Sequence, residues 1–192
     1  VTMIPLREDS WMFHYPNIRL MDLFAEAAQL PLVKAETSGV KEEEVEDLKR
    51  LIESLDIEGV VSGAVSSNYQ KTRIASICEK LGLACLTPLW QRNPIDLLNE
   101  LISKFEVVVV GVYACGLGKE WLGRKIDADA VNALVELNRK YGVSVVGEGG
   151  EYETLVVDAP FFKKRIKIVE AEKIWRNQSG YMHVTKATLE AK

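Results

Sequence analysis

The chain has 192 residues, enough for one large domain or two small ones, with 47% hydrophobic and 27% charged residues, as in an ordinary globular protein. Its 24 basic and 28 acidic side chains leave a net charge of -4, which excludes a strong basic footprint for nucleic acid. The longest apolar run, around Val107 to Val110, is far too short to span a bilayer, and no cationic-then-apolar leader opens the chain, so a membrane or secreted protein is not expected.

Val1-Thr2-Met3-Ile4 reads as a strand already under way, which suggests residues upstream of Val1. Between Asn17 and Gln29, apolar residues recur at helical spacing, with Asn17 as N-cap after Pro16. Leu32-Val33-Lys34-Ala35 reads as a strand, followed by an amphipathic helix from about Lys41 to Leu55 with an acidic outer face. Gly59 to Gly63 is a short strand, Ser67 to Leu81 a helix closed by Gly82, and Ala84-Cys85-Leu86 a brief strand. Pro94 starts a helix to about Lys104, and Phe105 to Gly111 is a continuous β-branched strand expected to be buried on both faces.

A helix from Asp127 to Tyr141 ends at Gly142. Beyond it, Tyr152 to Val157, Arg165 to Trp175 and Tyr181 to Leu189 read as strands, the last two forming a hairpin. The alternation before Gly142 predicts an α/β fold: a parallel, Rossmann-like sheet in a nucleotide-binding half, residues 1–92. A smaller α+β half, residues 93–192, ends in the hairpin, whose apolar face can pair across a homodimer.

In such sheets ligands gather beyond the carboxyl ends of the strands. Gly63-Ala64 and the helix that follows open the backbone to a ligand, and Tyr69, Gln70 and Arg73 lie close enough in helical spacing to face one crevice. A ring to stack on, an amide and a guanidinium for a carboxylate or phosphate fit a site; an ordinary solvated helix start fits equally well. Trp90 beside Arg92 forms a stacking surface or a packed loop. In Gly147-Glu148-Gly149-Gly150-Glu151-Tyr152-Glu153-Thr154, two adjacent glycines carry three carboxylates, whose repulsion calls for a cation, an amine or a hydrogen-bond network. Glu148, Glu151 and Glu153 are the candidate catalytic residues; the pair Glu151 and Glu153 could bind Mg²⁺, orient a cationic substrate or take a proton from an ammonium nucleophile, against the plainer reading of a solvated acidic turn. Cys78, Cys85 and Cys115 sit among apolar neighbours without a paired spacing and read as buried reduced thiols in a cytoplasmic protein; no metal ligand set is evident.

These segments, in this order, resemble the archaeal-type diphthine–ammonia ligase family of the ATP pyrophosphatase (PP-loop) superfamily. The resemblance is carried by the stretch Arg7 to Pro16, by Gly63-Ala64 through Arg73, Pro88-Leu89-Trp90, Trp121 to Arg124 and Gly147 to Thr154, nearly the full chain. It implies adenylation of the diphthine carboxylate on translation elongation factor 2 by ATP with Mg²⁺, then displacement of AMP by ammonia. It also implies a nucleotide pocket near Thr2, Met3, Gly63 and Ala64, and substrate contacts from Tyr69, Gln70, Arg73, Trp90, Gly149, Gly150 and Thr154. The family's Ser-Gly-Gly-Lys-Asp-Ser phosphate loop occurs nowhere in these residues and is expected before Val1. Another adenylating amide- or thio-transferase, or a non-catalytic module binding a nucleotide or the elongation factor, are the competing readings.

Overall fold

The computed structural model describes all residues, Val1–Lys192. Two compact units emerge: an N-terminal unit of residues 1–15 and 33–92, and a C-terminal unit of residues 16–32 and 93–192.

The N-terminal unit contains two parallel strand pairs. β1 (Thr2–Pro5) pairs with β2 (Lys34–Thr37), and β3 (Gly59–Val61) with β4 (Ala84–Leu86). The helices α2 (Glu43–Glu53) and α3 (Asn68–Leu81) follow β2 and β3; α1 belongs to the other unit. Apolar spacing explains their docking: Val45, Leu48, Leu51 and Ile52 of α2 and Ile77 of α3 bury with Met3 in one core, which Ala35 and Val60 also contact. Both parallel pairs therefore rest on the same apolar cluster. The α3 boundaries follow from capping. Ser67 accepts from the Gln70 amide, and Gly82 takes the left-handed conformation that ends the helix.

The first strand pair reveals which backbone groups remain open. Thr2 and Leu6 donate to the carbonyls of Val33 and Thr37, so strand alternation turns the Met3 N–H and C=O away from β2. In the same way Ser62 donates to Leu86 and Glu58 accepts from Ala84, which turns Gly63 away from β4.

In the C-terminal unit, α1 (Met21–Ala28), α4 (Pro94–Lys104) and α5 (Ala128–Tyr141) accompany a four-stranded sheet. Its strands are β5 (Glu106–Val112), β6 (Tyr152–Asp158), β7 (Lys164–Arg176) and β8 (Ser179–Ala191), in the order β6-β5-β8-β7. Val109, Val110 and Val112 of β5 are at most 1% exposed and anchor the core with Leu122, Ile126 and Leu134. The sequence predicts β5 as part of a parallel sheet, but both of its neighbours run antiparallel to it. Burial sets its β-branched composition, and burial carries no information on strand direction.

Asn17 departs from its expected role as a helix cap. It adopts φ 63° and makes no cap hydrogen bond. Its amide instead bonds β8, as described below, and a short 3-10 turn, Ile18–Leu20, leads into α1. Asp127 and Asn93 do cap their helices, accepting from Ala130 and from Ile95 and Asp96. All three cysteines are free, and Cys78 is buried as expected, but Cys85 is only half-buried and Cys115 is exposed. No helix is long and apolar enough to cross a membrane.

Candidate functional site

In the N-terminal unit the candidate residues cluster around α3. The Arg73 guanidinium stacks on the Tyr69 ring, 3.5 Å from its centroid, and pairs with Glu42. Hydrogen bonding to Arg73 lowers the Glu42 pKa, while the same contact raises that of Arg73. Burial raises the Tyr69 pKa; the positive Arg73 opposes this, and Glu42 and Glu44 reinforce it. Arg73, expected to bind a substrate anion, thus already has a carboxylate partner. Gln70 lies half-buried at the capped start of α3, its amide held by Ser67.

Trp90 receives the Lys71 ammonium 4.0 Å from its ring centroid. Gly63 is exposed, with nothing within 4 Å of where a Cβ would stand, while Ala64 and Met3 are buried at 3% exposure. Met3 is thus packed into the apolar core of the unit. Thr2 is half-buried beside it.

Sequence reasoning overlooked Trp11 and Glu44 as members of this cluster. Trp11 lies 5.6 Å from Tyr69, centroid to centroid, and Glu44 is fully buried. A glutamate in an acidic helix reads as solvated from composition; only its place in the first turn of α2, one turn before Leu48 on the apolar face, hints at burial.

In the C-terminal unit the double-glycine loop is shaped by its own glutamate. The Glu151 carboxylate accepts from the Ser144 amide at 3.0 Å and the Gly149 amide at 2.8 Å. Its carbonyl accepts from Tyr113 and Ala114 just beyond β5. Gly147 and Gly150, at φ 69° and 79°, make the reversals, and the Gly150 amide bonds the Gly147 carbonyl. Tyr152 pins the far side, its hydroxyl donating to the Val145 carbonyl at 2.6 Å. Burial drives the Tyr152 pKa strongly upward, and Glu151 adds to it.

The repulsion expected among three carboxylates is thus met partly by backbone amides. Glu148 and Glu153 are half-buried on either side of Glu151, Gly149 and Thr154 are exposed, and Gly150 lies at the loop apex. Glu151 and Glu153 do not both belong to the strand, because β6 begins at Tyr152.

Parallel strand pairs in one unit and an antiparallel sheet in the other define a mixed α/β protein. Residues 1–85 match the family profile described as the diphthamide synthase N-terminal domain, and residues 93–189 match that of the diphthamide synthase C-terminal domain. The chain belongs to the diphthamide synthase family.

It is similar to a Homo sapiens protein named diphthine–ammonia ligase, 38% identical over 193 residues that cover 92% of this chain and 72% of the relative. A Rattus norvegicus protein of the same name is likewise 38% identical, with the same coverage. A Saccharomyces cerevisiae protein of that name is 32% identical over 81% of this chain, but only 27% of its own length.

Proposed function

We propose that this protein amidates diphthine on translation elongation factor 2 to diphthamide, using ATP and ammonia and releasing AMP and pyrophosphate in the cytoplasm. The observation that carries this reading is the paired match of both halves, in order, to the two domains of one synthase family. ATP makes the carboxylate oxygen a good leaving group, after which an amine nucleophile can displace AMP.

The two parallel pairs, resting on one apolar cluster, belong in this reading to a single Rossmann-like sheet of PP-loop type. Residues 1–92 then serve the nucleotide and residues 93–192 the acyl substrate. The adenosine part of ATP fits the exposed backbone at Gly63, where open space admits a ring close to the chain, with Met3 packed in the apolar core of the same unit. Thr2 and Ala64 border these positions. No Ser-Gly-Gly-Lys-Asp-Ser stretch lies within these residues, so no residue here is assigned to the pyrophosphate or to Mg²⁺.

Within the glycine loop, Glu151 holds the turn in shape through the Ser144 and Gly149 amides, and Glu148, Glu151 and Glu153 are the carboxylates proposed to orient an ammonium and accept its proton. In the C-terminal unit, Gly149, Gly150 and Thr154 offer exposed backbone and a hydroxyl for the substrate; in the N-terminal unit, Tyr69, Gln70, Arg73 and Trp90 are the candidate contacts.

The test is to incubate the full-length protein with ATP, ammonium and diphthine-bearing elongation factor 2, and to weigh the modified histidine. Conversion of the carboxylate to the amide with release of AMP is expected. An unchanged mass with ATP intact overturns the reading. Replacing Glu151 and Glu153 together by Gln should abolish amidation, and retained turnover would remove the loop from the mechanism.

A further inference from the structure

The segment from Arg7 to Pro16 contains an exposed tryptophan that the structure holds in place. Ser10, immediately before Trp11, donates to Glu44 Oε2 at 2.6 Å and accepts from the Phe13 amide at 3.1 Å. Glu44 is fully buried, and its other oxygen, Oε1, makes no hydrogen bond. Glu44 acts electrostatically on the neighbouring Tyr69, being one of the causes that raise its pKa. Trp11 is 59% exposed, and its ring meets that of Tyr69 at 5.6 Å with a tilt of 52°. The second ring is itself fixed by the Arg73 stack at 3.5 Å, and Arg73 in turn by Glu42.

A cation already uses this pair of rings. The exposed Lys41 places its Nζ 3.7 Å from the Trp11 centroid and 5.5 Å from that of Tyr69. Two electron-rich rings, a buried carboxylate in the same unit and a solvent-facing approach are what a fixed cation without N–H groups requires. Such a cation cannot be held by hydrogen bonds, so ring faces and nearby negative charge must hold it.

We propose that Trp11 and Tyr69 form the seat for the quaternary ammonium group of the substrate side chain, in competition with the ammonium of Lys41. The substrate identity rests on the reading above, since the diphthine side chain carries a trimethylammonium group. The seat itself rests on the geometry of the rings. Glu44 is a positioning residue: through Ser10 it holds Trp11 beside Tyr69.

The probe is tetramethylammonium chloride, titrated against sodium chloride at constant ionic strength, with the indole N–H signals of the ¹⁵N-labelled full-length protein as readout. The Trp11 signal, identified by its loss in Trp11→Phe, should shift with millimolar half-saturation. Lys41→Ala should lower that half-saturation about threefold or more by removing the competitor. The uncharged isostere 3,3-dimethylbutanol should move the signal little. An unchanged or weaker response in Lys41→Ala, or an equal response to the neutral isostere, overturns the proposal.

In the amidation assay, Trp11→Ala should raise KM for diphthine-bearing elongation factor 2 about tenfold with KM for ATP held, and Trp11→Phe should restore most of it. An unaltered KM in Trp11→Ala also overturns it. If tetramethylammonium binds as described while the wild type amidates nothing, the seat stands and the proposed reaction falls.

Discussion

Asn17 and Val184 are joined across 167 residues of chain: the Asn17 Oδ1 accepts from the Val184 amide at 2.8 Å, while its Nδ2 donates to the Met182 carbonyl at 2.8 Å. The side chain thus plays the part of a neighbouring strand along β8, and its positive φ aims it there. Asn17 is 6% exposed, so both bonds are sheltered from water. Asn17→Ala should cost about 3 kcal/mol, because two buried backbone groups lose their partner at once. Urea unfolding measures this; a loss near zero would mean that another group satisfies Met182 and Val184.

The hairpin turn joining β7 and β8 offers a gain. Arg176 pairs with Ser179, leaving Asn177 and Gln178 as a two-residue turn with φ 48° and 70°. This is the geometry of a type I′ turn, which glutamine tolerates poorly at its second position. Gln178→Gly should stabilise the protein by about 0.5 kcal/mol, the relief of strain being partly offset by a more flexible unfolded chain. A lowered melting temperature would count against that assignment.

Burial, aided by the neighbouring Cys85, pushes the Cys78 thiol from its ordinary 9.0 up to about 11. A group whose folded pKa lies above its unfolded value stabilises the fold fully below the unfolded pKa and loses that contribution as pH rises through the folded one. Stability should therefore fall between about pH 9 and 11, and less steeply in Cys78→Ala. Urea midpoints of both proteins, followed across that range, decide the matter; parallel curves would exclude Cys78 as a contributor.

The glycine loop can be tested without substrate. Glu151→Ala removes the acceptor for the Ser144 and Gly149 amides, so both should lose hydrogen-exchange protection. Glu151→Gln retains one acceptor oxygen and should preserve one of the two amides. Protection unaffected in the alanine variant would show that the glycines alone set the loop.

Helix ends were the most legible part of this fold. Ser67, Asp127 and Pro94 announce starts, Gly82 and Gly142 announce ends, and the helices follow these marks closely. Such signals are local, depending on one side chain and the amides within a turn of it. Asn17 has the same chemistry, but the chain uses it against β8, a partner that no local window contains. The direction of β5 was hidden for a related reason: Val107 to Val110 encode burial, whereas pairing with β6 and β8 depends on residues far along the chain.

At the candidate site, the glycine loop was visible in composition, yet the fold of Glu151 onto its own amides was not. Trp11 and Tyr69 lie 58 positions apart, and their pairing left no trace in spacing. That Tyr69 and Arg73 act together was legible, because they lie on one face of α3; that Glu42 claims Arg73 was not.

The outer rim of β7 bears Lys164, Arg165, Lys167, Glu170, Glu172 and Lys173, all exposed, with an irregular register between Ile168 and Ala171. Salt bridges from Arg165 and Lys167 to Glu190 on β8 spend part of that charge inward, while the remainder faces solvent. A strand approaching from outside would have to strip water from a run of ions and follow a kinked ladder. Lateral accretion of further strands is thereby discouraged along a long, otherwise adhesive ribbon.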